Sequence, residues 1–170
     1  MKEEYTDWLA LDLGGRSFGW AYGPRNIQYG GGSIPPDVSD GRCYAIFADS
    51  LVRLLNTRKP DRIAVEQPFI NMHKHQPMQA RRWLGLLAIM HMVVYRLGLP
   101  AAREYSPNTI KAQFVGHGFA EKHLIGMECE RRGWKPQNDD VADALAVLST
   151  AADMPRSDEL QLLLKTAGVK

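Results

Sequence analysis

The segment WLALDLGGRSFGWAYG, residues 8–23, places an aspartate at the end of an apolar run and follows it with two glycines. Residues 8–13 carry apolar side chains on both faces, which is typical of a central strand. Residues 17–23 alternate large and small side chains, which predicts a second strand, and the short Gly-rich connection favours a hairpin. Because an unpaired carboxylate is costly to bury, Asp12 needs a partner or a ligand.

Two interpretations of this segment are open at the level of the sequence. Asp12 could hold a metal for nucleic-acid chemistry, or Gly14 and Gly15 could form a turn around a nucleotide phosphate. The stretch DLGGRSFGWAY does resemble the first phosphate loop of actin-like and sugar-kinase ATPases. Those proteins repeat the unit in a second lobe, whereas this chain has no second copy and no Walker-type lysine motif. The phosphate-loop hypothesis is therefore the weaker one.

The remaining patterns predict a third strand, a helix, a fourth strand, a long helix, a short fifth strand and four further helices. A meander followed by right-handed crossovers gives an α/β fold with a mixed five-stranded sheet and helices on both faces. The first and fourth strands would then be parallel neighbours whose ends bring Asp12 and Glu66 together. The three further strands are NIQYGGGSI, DRIAVEQPF and AAREY. The helices run from Ser39 to Pro60, over about 78–97, from the Ser106 cap to Gly116, over about 119–132, from Asn138 onward, and over about 157–167.

Composition excludes several classes of protein. The 170 residues, 45% hydrophobic, suggest one domain over 1–170, with the last helix peripheral. A net charge of +2 is too small for a basic nucleic-acid coat. Cys43 and Cys129 fit no zinc spacing and are expected to be packed thiols. The N-terminus shows no secretory signal, and the apolar stretch WLGLLAIMHMVVYRLGL is interrupted by His91 and Arg96, so we expect a buried helix.

A second acidic segment, NDDVADALAVL, lies near the end of the chain. Asp140 and Asp143 are three residues apart and project from one helix face, whereas Asp139 points roughly 100° away at about 3.6 residues per turn. If these two carboxylates meet Asp12 and Glu66, their repulsion requires protonation or a divalent cation, and oxygen ligands favour Mg²⁺ or Mn²⁺ over zinc. The alternatives are that Asp139 and Asp140 complement the dipole at the helix start and that Glu66 is a solvated charge at a strand end.

In their order and spacing, these residues resemble the RuvC family of Holliday junction resolvases, within the RNase H-like fold. The resembling segments are LALDLGGRSFGWAYG, PDRIAVEQPF, REYSPNTIKAQFVGHGFAEKHLIGMECE and DDVADALAVL. Together they cover roughly residues 8–150. The acidic motifs are shared with other RNase H-like nucleases, while the lysine-containing loop and the D-x-x-D-A ending point more narrowly at RuvC.

The resemblance implies a role for individual residues. Four carboxylates match the family's metal ligands, and two lysines match those near the cleaved phosphate, where a cation would stabilise developing charge. Phe69 matches an aromatic residue implicated in prising bases apart; the alternative is a hydrophobic plug beside Pro68. The carboxylates are Asp12, Glu66, Asp140 and Asp143, and the lysines are Lys111 and Lys122.

The segment INMHKHQPMQARRWLG is basic, and we expect it to face DNA. Its H-x-H pair is a weak metal signal. The alternative for the two arginines is a solvated helix end, and the histidine in GHGF stands where many relatives carry lysine. The DNA contacts predicted here, besides Phe69, are Lys74, Arg81, Arg82 and His117.

The function implied is a Mg²⁺-dependent endodeoxyribonuclease, with Mn²⁺ able to substitute and a pair of ions at each site. It would resolve Holliday junctions or other branched DNA by paired symmetric nicks that leave 5′-phosphate ends. A homodimer is implied, and the helix RRWLGLLAIMHMVVYRLGL offers a face for it unless the final LQLLLK helix covers that face.

The small size and the departures from the family pattern after Phe69 and at His117 resemble a bacteriophage branch of the family. The expected location is the cytoplasm, with the nucleoid. We expect no membrane partner and no nucleotide cofactor. The other hypotheses are an RNA-processing nuclease of the same fold, a non-catalytic branched-DNA-binding module, and the ATPase already named.

Overall fold

The computed structural model describes residues 6–68 and 77–166. The strands are β1 (Trp8–Leu13), β2 (Ser17–Gly23), β3 (Gln28–Ser33), β4 (Arg62–Glu66) and β5 (Arg103–Tyr105). The helices are α1 (Asp40–Arg58), α2 (Pro77–Arg96), α3 (Pro107–Val115), α4 (Lys122–Arg131), α5 (Asp139–Ala151) and α6 (Asp158–Thr166). They form a mixed five-stranded sheet in the order β3-β2-β1-β4-β5, which confirms the predicted α/β fold class.

The register of the sheet places the first and fourth strands as predicted. β1 runs antiparallel to β2, with Asp12 opposite Gly19. β1 runs parallel to β4, with Leu11 beside Val65. Asp12 and Glu66 are the next residues along these two strands, and neighbouring strands lie only about 4.8 Å apart. Both carboxylates therefore lie side by side at the carboxyl-terminal ends of two neighbouring inner strands.

The two faces of the sheet carry side chains of different size. One face presents large apolar residues, including Leu9, Leu11 and Ile63, to α1 and α2. The opposite face presents alanines at positions 10, 21 and 64 to α3, α4 and α5. Since β1 alternates between faces, Asp12 shares the small-residue face with Ala10. A helix can approach the backbone closely on that face only.

α5 uses this space at Gly19. A Cβ built on Gly19 would overlap the backbone carbonyl oxygen of Asp140, in the first turn of α5. Ala144, one turn after Asp140 and on the same side of the helix, is fully buried and keeps that side slim. Glycine at position 19 therefore permits the contact that fixes where the acidic end of α5 lies.

Most helix ends follow the predicted signals. The side chains of Ser39, Ser106 and Asn138 accept hydrogen bonds from backbone N–H groups at the starts of α1, α3 and α5. Gly116 ends α3 with a φ of 103°. The start predicted for the next helix at about 119 is wrong, because Glu121 occupies the N-cap position and α4 begins at Lys122. Residues 116–121 form a turn instead.

α6 is attached to α4 by a buried carboxylate. The Glu128 side chain is fully buried and accepts hydrogen bonds from Arg132 Nε at 2.8 Å and from the Ser157 backbone N–H at 2.9 Å. At its other end, Leu164 of α6 lies against Gly116. α6 therefore lies beside α3 and α4, on the sheet face opposite α2, and the alternative that it covers α2 is wrong.

α2 keeps a partly apolar outer side. Leu86, Met90 and Val94 are buried in the sheet-facing core, whereas Leu84 and Tyr95 are 52% and 84% exposed. Across residues 6–68 and 77–166, no helix has both the length and the apolar character needed to cross a membrane.

The close approach at Gly19 leads to a stability test. We expect Gly19→Ala to lower the free energy of unfolding by about 2 kcal/mol or more, because the clash is with backbone and cannot be relieved by a rotamer change. Gly126→Ala is the control: it lies inside α4, where an added Cβ meets nothing within 4 Å. That change should stabilise the protein by up to about 1 kcal/mol. Urea unfolding measures both, and equal stability of the two variants would contradict the packing described.

Candidate active site

Four carboxylates come together where β1 and β4 end beside the first turns of α5. Burial raises the pKa of Asp12 well above its usual range, and the charges of Glu66, Asp143 and Asp140 raise it further. Each of these three residues is thus close enough to Asp12 to repel it. The structure therefore brings together the four acidic residues singled out in the sequence.

Positive charge near the cluster compensates the carboxylates only in part. Burial, followed by the charge of Asp143, raises the pKa of Glu66 to about 7, against opposing effects of Lys111 and Lys122. Burial likewise raises the pKa of Asp143, which Lys122 partly offsets. Buried acids that retain protons near neutral pH favour a cation in their midst, and an all-oxygen donor set suits Mg²⁺ or Mn²⁺. By its chemistry the cluster fits a divalent ion.

The side chains are not arranged as a closed metal cage. Within residues 6–68 and 77–166, no three His, Cys, Asp or Glu side chains surround a common point as ligands. Two of the four are engaged elsewhere: Asp140 accepts a hydrogen bond from the Ser17 hydroxyl, and Asp143 lies 3.2 Å from Lys122 Nζ. Lys122 also lies 3.5 Å from Asp139, whose side chain is 76% exposed. The lysine partly takes the place that a metal cation would fill.

A cavity of about 690 Å³ opens beside the carboxylates. Its lining includes the carboxylates Glu66 and Asp143 and the two predicted lysines, Lys111 and Lys122. The cavity therefore carries carboxylates that can bind a cation and lysines that can face the negative charge of a phosphate.

The residues predicted to contact DNA differ in their surroundings. The prediction that Arg82 contacts DNA is wrong, because this residue is only 9% exposed. Its Nε lies 2.9 Å from Asp40 and a guanidinium nitrogen lies 2.8 Å from the Val38 carbonyl oxygen. These bonds tie α2 to the start of α1, so Arg82 has a structural role. Arg81 also pairs with Asp40, at 2.6 Å, but its side chain is 68% exposed. His117 is exposed on the turn before α4, while Phe69 and Lys74 lie outside the described residues.

Sequence reasoning missed the contribution of Ser17. Its side chain lies on the same β2 face as Gly19 and holds Asp140 through the hydrogen bond described above. The period-two pattern of β2 contains this information, because residues 17 and 19 share a face. The Gly14–Gly15 pair is also explained: a Cβ on Gly14 would crowd the Ser17 carbonyl, and one on Gly15 would contact Trp83. The two glycines therefore let the turn between β1 and β2 pack closely against Ser17 and against Trp83 of α2.

Comparison with known proteins decides the family. A family model described as crossover junction endodeoxyribonuclease RuvC matches residues 25–151. The chain belongs to the RuvC family. The RuvC of Bradyrhizobium diazoefficiens is 34% identical over 170 residues, covering 95% of this chain and 93% of that protein. The RuvC of Rhodopseudomonas palustris is 36% identical over 153 residues, covering 85% of each chain.

Solved structures of RuvC-like proteins share the fold. Thermus thermophilus RuvC in complex with a Holliday junction substrate has a TM-score of 0.73 at 22% identity, covering 86% of this chain and 93% of that one. The yeast mitochondrial Holliday junction resolvase Ydc2 has a TM-score of 0.64 at 14% identity, covering 95% and 81%. The resemblance to the RuvC family and its RNase H-like fold is thereby confirmed. Membership in a bacteriophage branch stays a prediction.

The raised acid pKa values predict a pH dependence of stability. Glu66 has a pKa of about 7 in the folded protein against an ordinary value of 4.5. Between these values the folded state binds more protons than the unfolded chain, so the free energy of unfolding falls as pH rises through this window. Asp12 and Asp143 shift in the same direction.

Glu66→Gln removes this loss. In EDTA at pH 8 we expect the variant to be more stable than wild type by on the order of 2 kcal/mol, with the difference shrinking toward pH 4.5 and on addition of Mg²⁺. Chemical denaturation at several pH values measures the effect. Glu130→Gln, at an exposed carboxylate near the end of α4, is the control and should be neutral. A Glu66→Gln variant that is no more stable at pH 8 would contradict the electrostatic description of the site.

Proposed function

We propose that this chain is a metal-dependent endodeoxyribonuclease that resolves Holliday junctions or other branched DNA. The observation that carries the proposal is a cluster of four carboxylates, two of which, Glu66 and Asp143, line a cavity together with two lysines, in a member of a family of crossover junction endonucleases. Divalent metal use follows from the family's chemistry. Mg²⁺, with Mn²⁺ as a substitute and a pair of ions at each site, is the finer part of the proposal.

In this proposal Asp12, Glu66, Asp140 and Asp143 hold the metal. When bound, the metal would activate a water molecule and stabilise the leaving oxygen of the phosphodiester. Asp143 must then exchange its contact with Lys122 for the metal, and Asp140 its contact with Ser17. In-line attack by water leaves a 5′-phosphate and a 3′-hydroxyl.

Lys122 acts as a fixed positive charge. Burial lowers its pKa, but Asp143 and Asp139 outweigh that effect, so that the net shift is upward. While Asp143 and Asp139 pair with it, Lys122 is therefore held as a cation. Once Asp143 binds metal, the freed Lys122 ammonium can stabilise charge on the phosphate, and Lys111, which lines the same cavity, can do the same.

The metal assignment is tested with two neighbouring aspartates. We expect Asp143→Asn to reduce cleavage of a synthetic four-way junction in Mg²⁺ by about a thousandfold or more, since a metal ligand contributes several kcal/mol to the reaction. Asp139→Asn, at the exposed neighbour, should retain most activity. Binding in Ca²⁺ should survive both changes. Full cleavage by Asp143→Asn, or equal loss in both variants, would contradict the assignment.

The substrate class is tested by mapping the cuts. Fixed and mobile four-way junctions, a linear duplex and a structured RNA are labelled on each strand and incubated with Mg²⁺, Mn²⁺ or Ca²⁺. We expect paired symmetric nicks in the junctions alone, with Mg²⁺ or Mn²⁺. Preferential cleavage of RNA would support the RNA-processing alternative, and binding without any cleavage would support the architectural one.

We propose that the active form is a homodimer, so that two sites cut two strands symmetrically. The supporting surface is the outer side of α2, where Leu84, Met92 and Tyr95 are 52%, 43% and 84% exposed. Their spacing of eight and three residues places them along one side of the helix. Contiguous exposed apolar surface of this kind marks protein contacts. This α2 stripe is the proposed dimer surface.

A charge in the α2 stripe should dissociate the dimer. We expect Met92→Glu to convert a dimer into a folded monomer, measured by light scattering coupled to size exclusion. Met127→Glu is the control, because Met127 is 42% exposed on α4, away from the stripe. If the wild type is a monomer, there is no dimer interface. If Met92→Glu stays dimeric while Met127→Glu becomes monomeric, the interface lies elsewhere than the α2 stripe.

The remaining expectations belong to the same proposal. Arg81 and His117 would contact phosphates, as would Lys74, and Phe69 would act at the branch point. The chain would function as one domain over residues 1–170, in the cytoplasm where bacterial DNA lies.

A further inference from the structure

Phe119 is exposed in a way that its counterparts are not. Its side chain is 89% exposed, whereas Phe18, Phe47 and Phe114 are between 0% and 3% exposed. A phenyl ring in water forgoes the stabilisation that burial gives the three other phenylalanines within residues 6–68 and 77–166. An isolated exposed ring has little meaning by itself, so its surroundings decide whether it has a role.

The turn that carries Phe119 is held firmly on both sides. Ala120 is 2% exposed in the core, and its backbone N–H donates to the His117 carbonyl at 3.2 Å. A Cβ on Gly118 would lie 3.0 Å from the Asn108 carbonyl, so that this part of the turn rests on α3. The ring is thus presented from a short, packed turn, which limits the entropy lost when a ligand stacks on it.

Phe119 lines the same cavity as the candidate active site. The cavity of about 690 Å³ is bordered by Glu66 and Asp143, by Lys111 and Lys122, and by the ring of Phe119. A nucleotide has the matching combination of parts: a phosphate for the charged side and a flat aromatic base for the ring. A hydrophobic protein segment would leave the lysines and carboxylates of the cavity unsatisfied.

We propose that Phe119 is a stacking platform for an unpaired nucleobase next to the cleaved phosphate. The proposal rests on the nuclease function and adds a base-binding subsite to it. Stacking on an aromatic ring tolerates any base, because every base has a π-face. A base at a branch point is already partly unstacked, so its capture costs less than extracting a base from a duplex. The platform would therefore favour branched over linear DNA.

The test is a double-mutant cycle between the ring and the base. Binding of labelled four-way junctions is measured by fluorescence anisotropy in Ca²⁺, with intact strands verified on a gel. An abasic nucleotide is placed in turn at each position bordering the branch point. Wild type is compared with Phe119→Ala, with Phe119→Leu, which keeps an apolar side chain without a ring, and with Phe119→Trp.

We expect one abasic position to weaken binding by wild type about 5- to 150-fold, the range for a lost base–aromatic stack. For Phe119→Ala and Phe119→Leu, the junction with the abasic nucleotide at that position should bind as tightly as the intact junction. For Phe119→Trp, the abasic nucleotide should weaken binding as it does for wild type. The proposal is overturned if the variants and wild type respond alike at every abasic position. It is also overturned if Phe119→Leu binds as tightly as wild type.

Cleavage in Mg²⁺ separates this proposal from the nuclease function. A wild type that cuts junctions but shows no coupling at any position overturns the base subsite alone. A wild type that cuts no branched DNA contradicts the nuclease function, whatever coupling the binding measurement gives. Because Phe119 is so exposed, the Ala, Leu and Trp variants should all unfold at the wild-type denaturant concentration.

Discussion

The backbone contact between α5 and β2 at Gly19 determines where the acidic residues lie. Because position 19 has no Cβ, the carbonyl of Asp140 can rest directly on the strand. Gly19 is also the residue opposite Asp12 in the sheet, so the same contact sets the first turn of α5 beside that carboxylate. The alanine face of the sheet extends the close approach along the helix. Backbone packing, and not attraction between side chains, thus brings the negative charges together.

Packing of this kind works against electrostatics. Burial, and after it the repulsion between neighbouring carboxylates, raises the pKa values of Asp12 and Glu66. Two carboxylates about 4 Å apart repel by about 4 kcal/mol at an effective dielectric of 20. Ser17 and Lys122 relieve part of the repulsion through Asp140 and Asp143. Both contacts are ones that an incoming cation can replace. Packing elsewhere in the fold therefore offsets the free energy that the buried carboxylates cost, as it does at other functional sites that hold an unfavourable arrangement.

Local patterns in the sequence were sufficient to predict the order of elements and most of their ends. Alternation in β2 and the caps at Ser39, Ser106 and Asn138 act within a few residues, so they can be read without the fold. Contacts distant in sequence could not be read this way. Arg82 looked like an exposed helix-end charge, yet it is buried because Asp40, 42 residues earlier, lies across from it. The Ser17–Asp140 bond joins positions 123 apart and follows only from the placement of α5.

The turn at 116–121 shows how the error in one helix boundary matters for chemistry. Had α4 begun at Phe119, the ring and Lys122 would be three residues apart on one helix face, where both would project the same way. Instead Glu121 caps the helix, Phe119 stands on the turn before it, and Lys122 begins the first helical turn. The two side chains then reach one cavity from different elements. In the proposed subsite, Lys122 would face the phosphate of a nucleotide and the Phe119 ring would face its base.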